Sequence, residues 1–384
     1  MRIEADWISD PATQAVMAAL TQDGGEAFFV GGCVRDTVLG FEVKDVDIAT
    51  PLWPEEVIRR IEAAGLKAVP TGIAHGTITA VSDGRPFEVT TYRRDIATDG
   101  RRAVVAFSRD IADDAQRRDF TMNALYADAE GGIVDPLGAF DDLKHRRVRF
   151  VGDPVRRIRE DYLRILRFFR FIAWYGNRLH PVDPAGLAAC ATEKAGLAKL
   201  SAERVGAEIR RLLAAPDPTQ ALEAMAGAGV LEAVLPGAHI EDMPELVRLE
   251  RQEGMEPRWI RRARLMTDAE LQALLRLSNS EARALAAITA ALARPEPPAA
   301  RGFRWGIEAA EDAELIEAAR GKPLSEDWRA EIARGAESAF PLEARDLMPP
   351  LKPGPELGAA LHRLREAWIA SDFTLDADAL KARL

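Results

Sequence analysis

Two aspartates one residue apart, Asp45 and Asp47 in "KDVDIAT", are the first residues whose spacing suggests chemistry. Side chains two apart on a strand project from one face, and two carboxylates held that close repel unless a cation lies between them. At a phosphate-handling site that cation is usually magnesium. Glu88, in "PFEVTTY", is the third acid that a neighbouring strand could bring to a two-metal cluster. An Asp-x-Asp pair alone is also ordinary exposed strand or loop chemistry. Upstream, Gly31 and Gly32 follow an apolar strand and open "CVRDTVLG", where side-chain-free backbone and helix-start N–H groups can approach a triphosphate. Arg35, one turn on, is placed to pair with a phosphate oxygen. Together these features are far more specific than a plain strand-to-helix turn.

Positioning such residues requires a small sheet. "EAFFV", "KDVDIAT", "GTITAV", "PFEVTTY" and "AVVAFS" predict short strands, and "PEEVIRRIEAAG" predicts a helix with proline near its start and glycine at its end. "RRDIATDGRRA" has no periodicity and contains Asp-Gly, so it reads as a mobile loop. After about Asp153 helical periodicity takes over, with one helix expected across "DPVRRIREDYLRILRFFRFIAWYG". Prolines 295, 297 and 298 mark a linker. The expected class is α+β: a mixed-sheet head at 1–150, then an all-helical neck at 151–215, body at 216–293 and tail at 300–384.

The chain has 384 residues, 47% apolar and 29% charged, with a net charge of −10. That charge argues against general adhesion to nucleic acid but allows local patches. One such patch, Leu143 to Arg170, holds ten Lys or Arg against three acids. No apolar run is long enough to span a bilayer and no leader is evident at Met1, so no membrane association and a cytoplasmic location are expected. Two cysteines, Cys33 and Cys190, are too few for a disulfide scaffold. The histidines at 75, 145, 180, 239 and 362 make no close ligand cluster, which gives no support for a second, hydrolytic metal site.

The stretch Gly31, Gly32, Val34, Arg35, Asp36, then Asp45 and Asp47, resembles the signature of polymerase-β-type nucleotidyltransferases, in particular the bacterial tRNA CCA-adding enzymes and poly(A) polymerases. The resemblance implies that Asp45 and Asp47 carry Mg2+, with Glu88 as the third acid. "DDAQRRDFTMNALY" resembles the family motif that binds nucleotide sugar and phosphates, matching at Arg118 and Asp119. "REDYLRILRFFRF" resembles the base-reading motif, and "SAERVGAEIRRLL" the helix that braces it. The likeness is strong over about 26–215.

A polymerase with no nucleic-acid template must choose its base with side chains. In the base-reading motif Asp161 and Arg164, three apart, neighbour each other on one helix face. A carboxylate accepts and a guanidinium donates, which matches the amino donor and ring-nitrogen acceptor that cytosine and adenine share. Uracil and guanine invert that order and would leave a buried group unpaired, at about 1–3 kcal/mol each. The resemblance makes Arg167 and Arg170 nucleotide contacts, although Arg170 reads equally well as part of a solvated basic face. Leu163, Leu166, Phe169, Phe171, Trp174 and Tyr175 read as core.

The expected reaction is attack of an RNA 3′-hydroxyl on the α-phosphate of CTP or ATP. The expected partners are the tRNA 3′ end and the two nucleotides. Relatives limited to CC lack the segment matching Arg93–Phe107, so its presence favours full CCA addition over A-only addition or poly(A) synthesis. A metal phosphohydrolase would leave Asp161 and Arg164 without purpose, and an RNA-binding protein with a decayed head would not keep every acid.

Overall fold

The computed structural model describes residues 1–99, 102–349 and 351–384, with the backbone alone over 95–99 and 102–105. Contacts divide it into two compact units, Met1–Pro236 and Gly237–Leu384. The expected body, 216–293, is therefore divided between them.

The first unit is built on a seven-stranded sheet. Its strands are β1 (Phe28–Val30), β2 (Asp47–Thr50), β3 (Lys67–Gly72), β4 (Thr77–Ser82) and β5 (Arg85–Thr91), with β8 (Tyr126–Ala127) and β9 (Ile133–Val134). Their order is β3-β4-β5-β2-β1-β8-β9. Only β2 and β5 run parallel, and their register sets Asp47 directly opposite Glu88. Burial alternates along β4, where Ile78, Ala80 and Ser82 face inward, as one covered face requires. The cover comes from the helices Pro11–Thr21 and Pro54–Ala63, which pack on β3, β4 and β5. The first is capped by Asp10, which accepts from the N–H groups of Ala12 and Thr13, with Pro11 at its first position.

The strand expected at "AVVAFS" is β7 (Arg102–Phe107), while the stretch before it, expected to be a mobile loop, forms β6 (Arg93–Asp99), and the two pair as a hairpin separate from the main sheet. Antiparallel pairing from Arg93↔Phe107 to Asp99↔Arg102 explains why a stretch without amphipathic period is ordered. Gly100 of the expected hinge lies outside the described residues. At the root, Trp53 and Phe107 pack edge-on with ring centroids 5.4 Å apart.

Aromatic side chains join sheet and neck. Phe120 lies 4.7 Å from Phe171, and Phe150 stacks on Phe168 at 5.2 Å. The helix Leu163–Tyr175 packs between Ala202–Leu213, the helix expected from the sequence to brace it, and Thr219–Gly227. In the second unit nine helices, among the described residues, surround two kinds of core. One is aromatic, around Trp368. The other is ionic: Arg261 donates to Glu250 and to Asp312, both at 2.7 Å, and Arg262 donates to Glu250 at 2.6 Å, all fully or nearly fully buried. Among the described residues no helix is long and apolar enough to cross a membrane.

Candidate active site

Gly31 ends β1 with φ +72°, a left-handed conformation that a side chain would strain, and its carbonyl accepts the Arg35 N–H that starts the helix Gly32–Leu39. A Cβ on Gly31 would sit 3.2 Å from Nη1 of Arg118, so the bare backbone makes room for a guanidinium. This turn forms one wall of a cleft of about 550 Å³. Ten of the residues anticipated from the sequence meet there: Gly31, Gly32, Arg35, Asp47, Arg118, Asp119, Asp161, Arg164, Arg167 and Arg170. Asp36, Asp45 and Glu88 do not line it.

Asp36 instead fixes Arg35, taking bonds of 2.8 and 3.0 Å from Nε and Nη2. Arg35 is further held by Asn123 Oδ1 at 2.5 Å and Tyr175 Oη at 2.9 Å, and its guanidinium lies 4.1 Å from the Tyr175 ring. Arg35 is thus a buried strut of the cleft wall.

The two aspartates do not share a strand. β2 begins at Asp47, and Asp45 stands exposed in the irregular segment before it. A lysine, a valine and two aspartates at 44–47 carry too little apolar surface to hold the strand edge any earlier. Burial, then the charges of Glu88 and Asp45, push the Asp47 carboxyl up to about 6 against the pull of Arg118. No three His, Cys, Asp or Glu side chains converge into a preformed metal set among the described residues. In kind, however, the donors fit a hard divalent cation: Asp47 and Glu88 stand opposite each other on parallel strands, and burial with the neighbouring acids holds the Asp47 carboxyl above its ordinary value.

The Asp161–Arg164 pair is also arranged differently from expectation. The single helix predicted from 154 to 175 is two, Pro154–Glu160 and Leu163–Tyr175, with Asp161 extended between them at φ −156°. Asp161 Oδ1 accepts the Leu163 N–H at 3.1 Å, a local bond that competes with the helical ladder and breaks it. Asp161 and Arg164 therefore face each other across a turn, where the Arg164 N–H reaches the Asp161 carbonyl at 3.0 Å. Their side chains are held by different partners. Arg204 donates to Asp161 Oδ2 at 2.6 Å, while Arg164 Nη1 donates to Glu160 and, at 2.7 Å, to the Arg157 carbonyl. Among the described residues both of these bonds come from Nη1.

Every remaining arginine of the cleft is also matched to an acid. Arg167 donates to Asp119 through Nε at 2.8 Å, and Arg170 to Glu208 at 2.6 Å. Burial would raise the Asp119 carboxyl, but Arg167, the Asn123 amide and the Phe120 N–H outweigh it and hold it at about 2. Phe171 lies beneath three guanidiniums, those of Arg35, Arg167 and Arg170, at 4.8–5.6 Å. Reading the sequence missed Arg117, Asn123 and Arg204. Arg117 and Asn123 lie within the "DDAQRRDFTMNALY" motif and Arg204 within the brace, so all three had a signal.

A glycine turn, an acid on the adjoining strand and a cationic cleft backed by a helical neck are the parts of a nucleotide-transferring head. Residues 27–149 match the family described as "Poly A polymerase head domain", and 181–241 match "Probable RNA and SrmB- binding site of polymerase A". The CCA-adding enzyme of Geobacillus stearothermophilus is 36% identical over 332 residues, covering 83% of this chain and 80% of that protein. The CCA-adding enzyme of Levilactobacillus brevis is 41% identical over 217 residues, 56% of this chain, and there the chain spans about half (53%) of the relative's length. A crystal structure of the Bacillus stearothermophilus CCA-adding enzyme in complex with CTP superposes with a TM-score of 0.72 at 29% identity, covering 94% of this chain and 93% of that one. The chain belongs to the CCA-adding enzyme family.

Proposed function

We propose that this chain extends the 3′ end of tRNA by C, C and A, taking CTP and ATP and releasing pyrophosphate. The observation that carries the reading is the cleft itself, in which Asp47 at one wall and the Asp161–Arg164 turn at another are spanned by seven arginines. The RNA 3′-oxygen forms a bond to the α-phosphorus, the bond from that phosphorus to the β-bridging oxygen breaks, and the hydroxyl proton is released. Asp47 and Asp45, with Glu88 beside them, would hold Mg2+, which fits their hard oxygen donors. When bound, such a cation acidifies the attacking hydroxyl and neutralises the leaving oxygens.

The chain's own groups do the rest. Gly31 and Gly32 let the backbone approach the triphosphate, Arg118 meets its charge, and Asp119 holds the sugar side of the nucleotide. Asp161 accepts from the exocyclic amine and Arg164 donates to the ring nitrogen, a pattern that cytosine and adenine share. The β6–β7 hairpin supports addition of the final A. Two buried free thiols, Cys33 and Cys190, suit a reducing compartment such as the cytoplasm.

The test is to incubate the protein with tRNA lacking its terminal CCA and with CTP, ATP or both, then sequence the ends. Ordered C, C, A is expected, with incorporation abolished in Asp47→Ala of intact fold. A ladder built from ATP alone, or near-normal turnover of Asp47→Ala, would overturn the reading.

A further inference from the structure

Directly under the cleft lies a carboxylate that no nucleotide can reach. Asp114 is fully buried near the end of the helix Ile111–Gln116, and one of its oxygens serves each of two consecutive arginines. Oδ1 accepts from Nε of Arg117 at 2.7 Å; Oδ2 accepts from Nη2 of Arg118 at 2.8 Å and from Nε at 3.2 Å. Tyr126 on β8 adds its hydroxyl to Oδ2 at 2.7 Å and takes a 3.2 Å bond from Nε of Arg118. Both arginines line the cleft, and Nη1 of Arg118 lies against the bare backbone of Gly31.

We infer that Asp114 is a positioning residue for the transfer reaction: it clamps Arg117 and Arg118 side by side so that both present their remaining N–H groups to the triphosphate, which makes Arg117 a second phosphate-binding residue. The inference rests on the proposed function, through the role of Arg118. Sequence neighbours normally point apart, and two adjacent guanidiniums repel each other. Residues three and four positions before them on a helix end, however, lie within reach of both, so a single carboxylate there can draw the two together. Their backbone is fixed as well, because Arg157 Nη2 donates to the carbonyls of both Arg117 and Arg118.

Charge alone does not explain Asp114. An anion beneath the cleft reduces its attraction for a polyanion, so if attraction were the whole purpose the site would be better without it. What the carboxylate adds is orientation. Burying it is tolerable because both cations and a hydroxyl satisfy it.

The two explanations predict opposite signs. Asp114→Asn keeps the volume but turns an amide N–H2 toward guanidinium donors. Positioning then predicts that KM rises for CTP and ATP alike, by roughly ten- to hundredfold for lost charge-assisted bonds, with tRNA KM within about twofold. Unchanged or tighter nucleotide binding in the folded variant would overturn the clamp, and so would a change confined to one nucleotide. Tyr126→Phe, which keeps the ring in the core and removes one donor, gives a second reading should Asp114→Asn fail to fold. It should raise both KM values by roughly two- to tenfold, and no change would again sink the proposal. Arg118→Ala separates the two levels: if it leaves nucleotide KM unaltered, the phosphate role of Arg118 fails, whereas a raised KM there beside an unaltered Asp114→Asn removes the clamp alone.

Discussion

Oδ2 of Asp161, in the turn between the helices Pro154–Glu160 and Leu163–Tyr175, accepts a 2.6 Å bond from Nη2 of Arg204 on the bracing helix Ala202–Leu213. Both side chains are mostly shielded from water. With one oxygen held by Leu163 and the other by Arg204, the carboxylate has a single orientation in which its remaining lone pairs can meet an amine. Arg204→Ala leaves only the Leu163 bond. The preference for CTP over UTP should then fall by roughly tenfold, the equivalent of one unpaired buried group no longer enforced. Competitive incorporation with both nucleotides measures the ratio, and a wild-type ratio in a folded variant would show that Arg204 does not set the orientation.

The Asp119–Arg167 pair makes acid stability testable. The Asp119 carboxyl is held at about 2, below its ordinary value of 3.8, because Arg167, Asn123 and Phe120 outweigh burial. A depressed folded value means stability is fully present above the unfolded value, near pH 4, and is lost as pH falls through about 2. The contribution at neutral pH is about 2 kcal/mol. Asp119→Asn should lower stability by that order at pH 7 and show a flatter loss between pH 4 and 2 than the parent in urea titrations. Parallel curves for the two proteins would refute the linkage.

The sequence carried the head well because its signals were local. Gly31 marks the turn that adopts φ +72° and β-branched runs mark β2, β4 and β5, while the parallel register that sets Asp47 against Glu88 pairs strands distant in the chain and is a property of the folded sheet. The second strand of the hairpin was legible in "AVVAFS", but the first, β6, was hidden because cross-strand pairing, unlike amphipathicity, leaves no period in a short polar segment. The break at Asp161 was hidden for a different reason. Periodicity runs unbroken from Pro154 to Tyr175, and only a side-chain bond to the Leu163 N–H interrupts it. Arg117 and Arg204 were missed because a cation's role depends on which acid it meets. Asp161 is 43 positions from Arg204, beyond any local pattern.

Hairpin β6–β7 stands apart from the main sheet and is rooted by Trp53 against Phe107 and by Arg93 donating to the His75 carbonyl. If it serves the switch from C to A, replacing 96–104 by a two-residue turn should leave CC addition within roughly threefold while A addition falls by roughly a hundredfold or more, a transition-state loss of nearly 3 kcal/mol. Gel-resolved extension of tRNA ending in CC reads the second step alone. Equal losses in both steps would assign the hairpin to stability instead.

Within the second unit, two helices touch backbone to backbone. A Cβ on Gly302, in Pro298–Trp305, would lie 2.1 Å from the Ile332 carbonyl oxygen; one on Gly335, in Trp328–Glu337, would lie 1.8 Å from that of Ala299. Neither obstacle is a flexible side chain, so Gly335→Ala must push the helices apart and cost about 1–3 kcal/mol. Gly358 supplies the opposite case in the same unit. It lies exposed in Pro355–Ala370 with nothing within 4 Å of an added Cβ, so alanine there should gain about 0.5–1 kcal/mol from reduced backbone freedom. Denaturant melts of the two full-length variants should therefore shift in opposite directions. A neutral Gly335→Ala would mean that the crossing relaxes without loss, and that the glycines are not what lets these helices meet.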